Sequence, residues 1–272
     1  MPSRPRDATP TAAAAGADAG SVPASARDDF VRSAVSYLTG EVVADGVLRA
    51  NTTRRGGATL RETGRPTASA LGIRMVADLT GRSHAAPLFH FPDRTTLVAA
   101  VAAEGFRRLV RALGEVTRRR SGAARLREIM MRYAGWAGEV PALFATMYDP
   151  ELAPGLELLM LTPHDADALE ALAERHGDDV KAARRRLVAF RELLAAKQAT
   201  LALFIDAVST GIDDGSLRGD HAPVVIAHAA ASVADGLAWQ RVTEPQGSTA
   251  LMDRHASMTV RLLFEGIETP TK

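Results

Sequence analysis

The chain has 272 residues, 46% hydrophobic and 24% charged, a globular composition with room for one large domain or two small ones. It contains no cysteine, which excludes disulfides, a thiolate zinc site and a thiol nucleophile. No apolar run approaches the roughly 18 residues of a membrane span. Arg4 and Arg6 are followed by Ala, Thr, Gly and Asp rather than an apolar signal core, so the expectation is a soluble, cytoplasmic protein with no membrane partner. Net charge is +1, but residues 1–120 hold 18 basic and 11 acidic residues (+7), and residues 121–272 hold 15 and 21 (−6). Such a split points to a polyanion-facing first part and a differently employed second part.

Residues 1–25 are rich in Ala, Ser, Thr, Pro, Gly and Asp, with almost nothing to bury, and read as a disordered tail. From Ala26 the pattern is helical: Phe30, Ala34, Val35, Leu38, Val42 and Val43 recur at spacings of three and four, with Gly46 as a stop. Residues 47–70 carry Arg49, Arg54, Arg55, Arg61 and Arg65 with poor periodicity, and read as a basic loop. Such a segment is either a functional arm or a solvated insertion.

A second helix follows Gly72, with Ile73, Val76, Ala77 and Leu79 on its apolar side and Gly81 as its end. Ser83 is placed to cap a short third helix by accepting the backbone N–H of Ala86, Pro87 suits its tight first turn, and Pro92 ends it. Asp93 caps a long helix through Leu97, Val101, Phe106, Leu109, Val110, Leu113 and Val116, closing on Arg118–Arg120 at the negative end of its dipole. Further helices are expected near 123–138, 140–148, 156–161, 165–176, 179–212, 222–242 and 249–265, separated by Pro, Gly and Asp turns. No alternating strand pattern or internal repeat is present, so the fold class is all-α.

Residues 73–97, IRMVADLTGRSHAAPLFHFPDRTTL, carry the functional signal. Two helices joined by a three- to four-residue turn containing glycine describe a helix-turn-helix, whose second helix lies in the major groove of DNA. The same pattern is also that of an ordinary helical corner.

The residues themselves go further. Val76-Ala77, Gly81-Arg82-Ser83, the run Leu88-Phe89-His90-Phe91-Pro92-Asp93-Arg94 and Leu97 resemble the DNA-binding domain of the TetR-type (tetracycline-repressor-like) transcriptional regulators. Ser83–Pro87, Leu97–Leu109, Tyr133–Ala153 and Gly211–Gly236 follow one subgroup of that family, so the resemblance covers roughly residues 26–265. Arg82 stands where the family has valine and Leu88 where it has a phosphate-touching tyrosine. Arg94 replaces a lysine and keeps its charge, and the link between the first two helices is longer than the family's.

The resemblance implies an N-terminal three-helix, helix-turn-helix DNA-binding domain with its connecting helix (26–120), then a larger effector-binding and dimerisation domain (121–265) and a short tail (266–272). It places Ser83, His84, Ala85 and Ala86 in the groove, with Arg82, Leu88 and Phe89 beside them and Arg74 and Arg94 on the phosphate backbone. His90 and Phe91 are expected to pack internally. The partners implied are double-stranded DNA, a second copy of the chain and a small effector. Trp136, Phe144, Met147, Tyr148, Leu158, Met160, Phe190 and Trp239 are the candidate pocket lining, and their apolar character suits an apolar or aromatic effector. Residues 222–242 are apolar almost all round and rich in alanine, as a helix packed on several sides would be.

Other chemistry is sparse. No dinucleotide fingerprint, P-loop, nucleophile elbow or zinc-protease motif occurs, so neither an enzyme nor a cofactor is expected. His221 and His228 share a helix face without a carboxylate at ligand spacing. His164 with Asp165 and Asp167 reads as a helix start, and Asp213-Asp214-Gly215 as a helix end rather than a calcium loop. The sequence expectation is a ligand-responsive repressor binding a palindromic operator as a dimer. The alternative is a helical small-molecule- or partner-binding protein with a degraded DNA reader.

Overall fold

The computed structural model describes residues 25–41, 68–114, 121–243 and 249–269. Val42, Val43, Gly46, residues 47–67 of the basic segment, Arg118–Arg120 and residues 270–272 lie outside them, as does all of the expected N-terminal tail except Ser25. The described elements are helices: α1 (Ala26–Thr39), α2 (Ile73–Leu79), α3 (Arg94–Gly114), α4 (Gly122–Glu139), α5 (Pro141–Met147), α6 (Ala153–Leu161), α7 (Asp165–His176), α8 (Val180–Asp213), α9 (Pro223–Thr243) and α10 (Thr249–Ile267). Three-residue 3₁₀ turns occupy Ala68–Ala70, Pro87–Phe89 and Pro150–Leu152. Among the described residues there is no strand, only an isolated antiparallel bridge between Leu217 and Glu268.

Local chemistry sets the ends of α1. Ser25 and Asp28 form a reciprocal capping box, so Ser25 belongs to the helix rather than to a tail. The helix stops at Thr39, earlier than the sequence expectation. Gly40 adopts φ +75°, and the N–H of Glu41 returns to the carbonyl of Ser36 at 2.9 Å. This left-handed ending satisfies the last carbonyls and turns the chain away from the helix axis.

The body is built on α8, which packs along α3, α4, α7 and α9; α1 and α5 lie on α3, and α10 lies on α4 and α9. Leu97–Ala103 are all buried, because α3 is covered on several sides. Where α4 meets α8 the helices touch backbone to backbone. A Cβ on Gly122 would lie 2.0 Å from the nitrogen of Gly211. The start of α4 is capped by Asp214, whose carboxylate accepts the N–H of Gly122 at 2.7 Å, and by the hydroxyl of Ser216, which accepts the N–H of Ala123 at 3.1 Å. The Asp-Asp-Gly segment thus ends one helix and begins another.

Two expectations are corrected. The C-terminal tail does not begin at residue 266: α10 runs to Ile267, and Arg218 donates its backbone N–H to the Ile267 carbonyl at 2.8 Å. Arg127 also pairs with Glu268 at 2.6 Å. In addition, part of α8 is long and apolar enough, by length and composition alone, to cross a membrane. Lys197 and Asp206 interrupt it as a sequence run, and Phe190, Leu193, Phe204 and Val208 bury into the bundle.

Candidate functional site

The N-terminal module is assembled by burial. Phe30, Val31, Val35 and Leu38 of α1, Val76 and Ala77 of α2, and Phe91 all reach the core. The His90 ring lies 5.9 Å from that of Phe30 and 6.3 Å from that of Phe91; Phe91 is buried, whereas His90 is half-buried with one side on the surface. The turn after α2 uses Gly81 at φ +64°, a conformation that disfavours a Cβ. Thr80 closes the helix by donating its hydroxyl to the Val76 carbonyl at 2.9 Å.

The expected third helix is reduced to turns at His84–Ala86 and the 3₁₀ turn Pro87–Phe89. Its entry is not capped by the Ser83 side chain. The N–H of Ala86 goes instead to the Ser83 backbone carbonyl at 2.9 Å. Pro87 is buried beneath the turn, and its fixed φ suits this tight start. The turn presents Arg82, Ser83, His84, Ala85, Leu88 and Phe89 to solvent, with Ala86 half-buried and Arg74 exposed on α2. Phe89 is 69% exposed and Leu88 46%, unusual for apolar residues at the tip of a packed module.

His84 and Arg82 of this surface have internal partners. His84 meets Asp78 at 2.8 Å. Arg82 pairs with Asp29 at 3.4 Å, and its guanidinium lies 5.5 Å from the Phe30 ring centre. Arg94 differs most from its expected place on DNA. It donates to the Leu71 carbonyl at 3.0 Å and pairs with Glu151 at 2.6 Å and Asp149 at 3.3 Å, joining the N-terminal module to the turn after α5.

A second tie lies beside it. Asp93 accepts the N–H of Thr96 at 2.7 Å, capping α3, and pairs with Arg186 of α8. Arg186 is 3% exposed and also holds Asp178 at 2.8 Å. Burial alone would raise the Asp93 pKa, but the hydrogen bonds from Arg186 and Thr96 outweigh it and hold the carboxyl below its ordinary value.

Deeper in the body, aromatic rings gather between α3, α4, α5, α8 and α9. Tyr148 lies 5.6 Å from Phe106, 5.0 Å from Phe144 and 6.0 Å from Trp239; Tyr133 lies 6.0 Å from Phe144 and 6.2 Å from Phe204. A polar centre is set among them. Asp235 accepts hydrogen bonds from the hydroxyls of Tyr133 and of Tyr148, the latter at 2.8 Å, and the two hydroxyls are themselves in contact. Burial first, and then the neighbouring Tyr148 phenol and the Asp235 carboxylate, push the Tyr133 phenol far above its usual range. Burial and Asp235 do the same for Tyr148, so both stay protonated donors. The ammonium of Lys197 sits 4.9 Å from the centre of the Tyr148 ring and 5.1 Å from that of Phe106. Its pKa is lowered by burial and partly restored by Asp235.

Of the expected pocket residues, Phe144, Tyr148 and Trp239 are brought together here, and Met147 packs nearby against Gly105. Trp136 is half-buried on the same helix as Tyr133. Phe190 is buried elsewhere, against Gly155 of α6, with Leu158 half-buried on that helix. Met160 is corrected: it is 66% exposed, because α6 is apolar on more sides than its neighbours cover. The residues not foreseen are Tyr133, Lys197 and Asp235, with Phe106 and Phe204. A signal for them existed, since Asp235 is the only acidic residue in α9 and a carboxylate in the middle of an apolar helix requires a partner.

On the outer side, α10 exposes Leu251, Met258 and Leu262 along one stripe. Alongside, α9 buries Ile226, Ala230, Ala234 and Leu237 but exposes Val225, Ala229, Ser232 and Gly236, an apolar-to-small stripe with positions for close helix approach. Among the described residues, no group of three or more His, Asp or Glu could hold a metal ion.

No family model matches the chain, and no curated protein matches it. Solved structures do. A protein of unknown function from Rhodococcus sp. RHA1 aligns with a TM-score of 0.53 at 20% identity, covering 88% of this chain and 96% of that one. A bacterial regulatory protein in the TetR family, from Rhodococcus RHA1, aligns with a TM-score of 0.53 at 14% identity, covering 91% and 100%. Similarity of this degree concerns the fold, and in its fold this all-α chain resembles the TetR-type regulators over nearly its whole length.

Proposed function

We propose that the chain is a ligand-responsive DNA-binding transcriptional regulator: a cytoplasmic repressor that binds a palindromic operator as a homodimer and is released by a small apolar or aromatic effector. Residues 26–120 form the DNA-reading part and residues 121–265 the sensing and dimerising part. The observation that carries this reading is the solvent-facing turn Arg82–Phe89, held on a buried base and tied through Asp93 and Arg94 to a body with an aromatic, polar-centred core. Ser83, His84, Ala85 and Ala86 face the bases, and Arg74 and Arg82 meet phosphates. Dimerisation uses the exposed stripes of α9 and α10, which would set two turns on successive half-sites.

The core suggests how an effector acts. Tyr148 directly precedes Asp149, and Asp149 holds Arg94 at the base of the reading module. A ligand that stacks on Trp239 and Phe144 and takes over the Tyr148 or Tyr133 hydroxyl would shift the turn after α5. That shift would loosen Arg94 from Asp149 and Glu151, biasing the module between two positions. The two tryptophans make such binding visible as a fluorescence change.

The test is duplex DNA binding by the purified chain, comparing DNA flanking its own gene with an unrelated duplex at two salt concentrations. Preferential binding that survives the higher salt supports the reading. Equal, weak binding that salt abolishes overturns it. That second result would favour the other reading, a helical binding protein with a degraded DNA reader. The observation behind it is that His84, Arg82 and Arg94 spend their polar groups on Asp78, Asp29, Asp149 and Glu151.

A further inference from the structure

A cleft of about 350 Å³ lies where the reading turn meets the first turns of α8, lined by Arg27, Phe89, His90, Lys181, Arg184, Arg185 and Val188. The spacing of Lys181, Arg184, Arg185 and Val188 (i, i+3, i+4, i+7) puts them on one face of α8, with neighbours about 5–6 Å apart. That face looks across at Phe89 and His90, the last residues of the exposed turn. Four permanent cations therefore border one opening. Arg27 is offset by Glu192 at 2.9 Å, whereas Lys181, Arg184 and Arg185 form no hydrogen bond or ion pair with any described residue. The concentration of charge is felt locally: burial, followed by Arg185, Arg27 and Arg82, lowers the His90 pKa.

We infer that this cleft seats the sugar–phosphate backbone of duplex DNA beside the bases read by the Arg82–Phe89 turn, so that α8, a helix of the sensing body, is itself part of the DNA interface. The inference rests on the DNA-binding reading above and deepens it. Two features favour DNA over a small anion. The cations are strung along a helix face instead of converging on one point, and the cleft is continuous with the exposed reading turn through Phe89. The reading turn itself offers few unpaired cations, so phosphate neutralisation must come largely from elsewhere. A body helix gripping the backbone would also make DNA affinity depend directly on how the reading module is seated against α8.

The experiment is the salt dependence of operator binding by the full chain, wild type against K181A/R184A/R185A, with the charge-conserving K181R/R184K/R185K as control and helical circular dichroism as the check on folding. Each lost phosphate contact lowers the slope of log K against log salt by about 0.9, so a loss of about 2–3 per bound protomer is expected for the alanine variant and none for the control. His90, followed by NMR, is expected to titrate higher in the alanine variant than in the wild type, and higher in the wild type once DNA is bound. An unchanged slope with normal operator preference overturns the cleft assignment and leaves the regulator reading standing. Failure of the wild type to prefer any duplex overturns both. If tripolyphosphate stabilises the wild type but not the alanine variant while the slopes agree, the cleft is a small-anion site and the inference is wrong.

Discussion

Replacing Arg186 by methionine tests the tie between the N-terminal module and the body. Arg186 is 3% exposed and bridges Asp93, the cap of α3, to Asp178 at the start of α8. Removing one member of a buried charge pair costs about 3–5 kcal/mol, because the partner is left uncompensated. Here the Asp93 side chain is 37% exposed, so water recovers part of its solvation, whereas Asp178 at 15% recovers less. The expected loss is therefore about 2–3 kcal/mol. At about 2–4 °C per kcal/mol for a chain of this size, the melting midpoint falls by about 5–10 °C. Urea unfolding of the wild type, Arg186→Met, Asp93→Asn and the double variant closes a mutant cycle, with a coupling of about 1–3 kcal/mol expected for contacting charges. Additive effects within about 0.5 kcal/mol would refute the reasoning, since they are the behaviour of independent sites. The pH dependence gives a second reading. Asp93 has a depressed pKa in the fold, so its contribution is present above the ordinary carboxylate range and is lost as pH falls through the lower, folded-state value. Arg186→Met should flatten that acid limb.

Gly122→Ala should be far worse than an exposed alanine substitution. Its Cβ would lie 2.0 Å from a backbone atom of Gly211 that cannot rotate away, so a loss of about 3 kcal/mol or more is expected in thermal unfolding, and a change under about 1 kcal/mol would disprove the close packing of α4 on α8. Asp235→Asn should depress the Lys197 pKa further, because the carboxylate is what partly restores it; a Lys197 titration by NMR that stays put would show that the two charges do not interact. If the chain dimerises through the stripes of α9 and α10 as proposed, Leu262→Asp with Met258→Asp should make it monomeric in sedimentation at micromolar concentration, and an unaltered dimer would remove α9 and α10 as the interface. Gly81→Ala forces a Cβ into the left-handed region at φ +64° and should cost about 1 kcal/mol; an unchanged midpoint would mean that the turn after α2 is not held in this conformation.

The helical class and most element boundaries were legible because both depend on local chemistry. The 3.6-residue apolar period, Asp93 ahead of α3 and the Pro and Gly breaks act within a few residues of chain. A short element between the Gly81 turn and Pro92 was legible for the same reason, although it was expected as a helix. Its internal state was not. Whether this segment forms a helix capped by the Ser83 side chain or an uncapped 3₁₀ turn depends on Pro87 being buried beneath it, and the partners of His84, Arg82 and Arg94 come from α2, α1 and the turn after α5. The core site shows the same division. Phe144, Tyr148 and Trp239 could be nominated one at a time as apolar residues, but Met160 looked equivalent in sequence and points to solvent.

What the sequence by itself determined is therefore an all-α chain with a basic, turn-bearing first part and an apolar, helical second part, since periodicity, caps and charge are properties of neighbouring residues. Tertiary structure decided which charges are free and which are spent, that Tyr133, Tyr148, Asp235 and Lys197 meet inside an aromatic shell, and that one face of α8 lies across a cationic cleft from Phe89 and His90. These pairings join residues as far apart in sequence as Arg27 and Glu192. They are set by how helices cross, which no local pattern encodes.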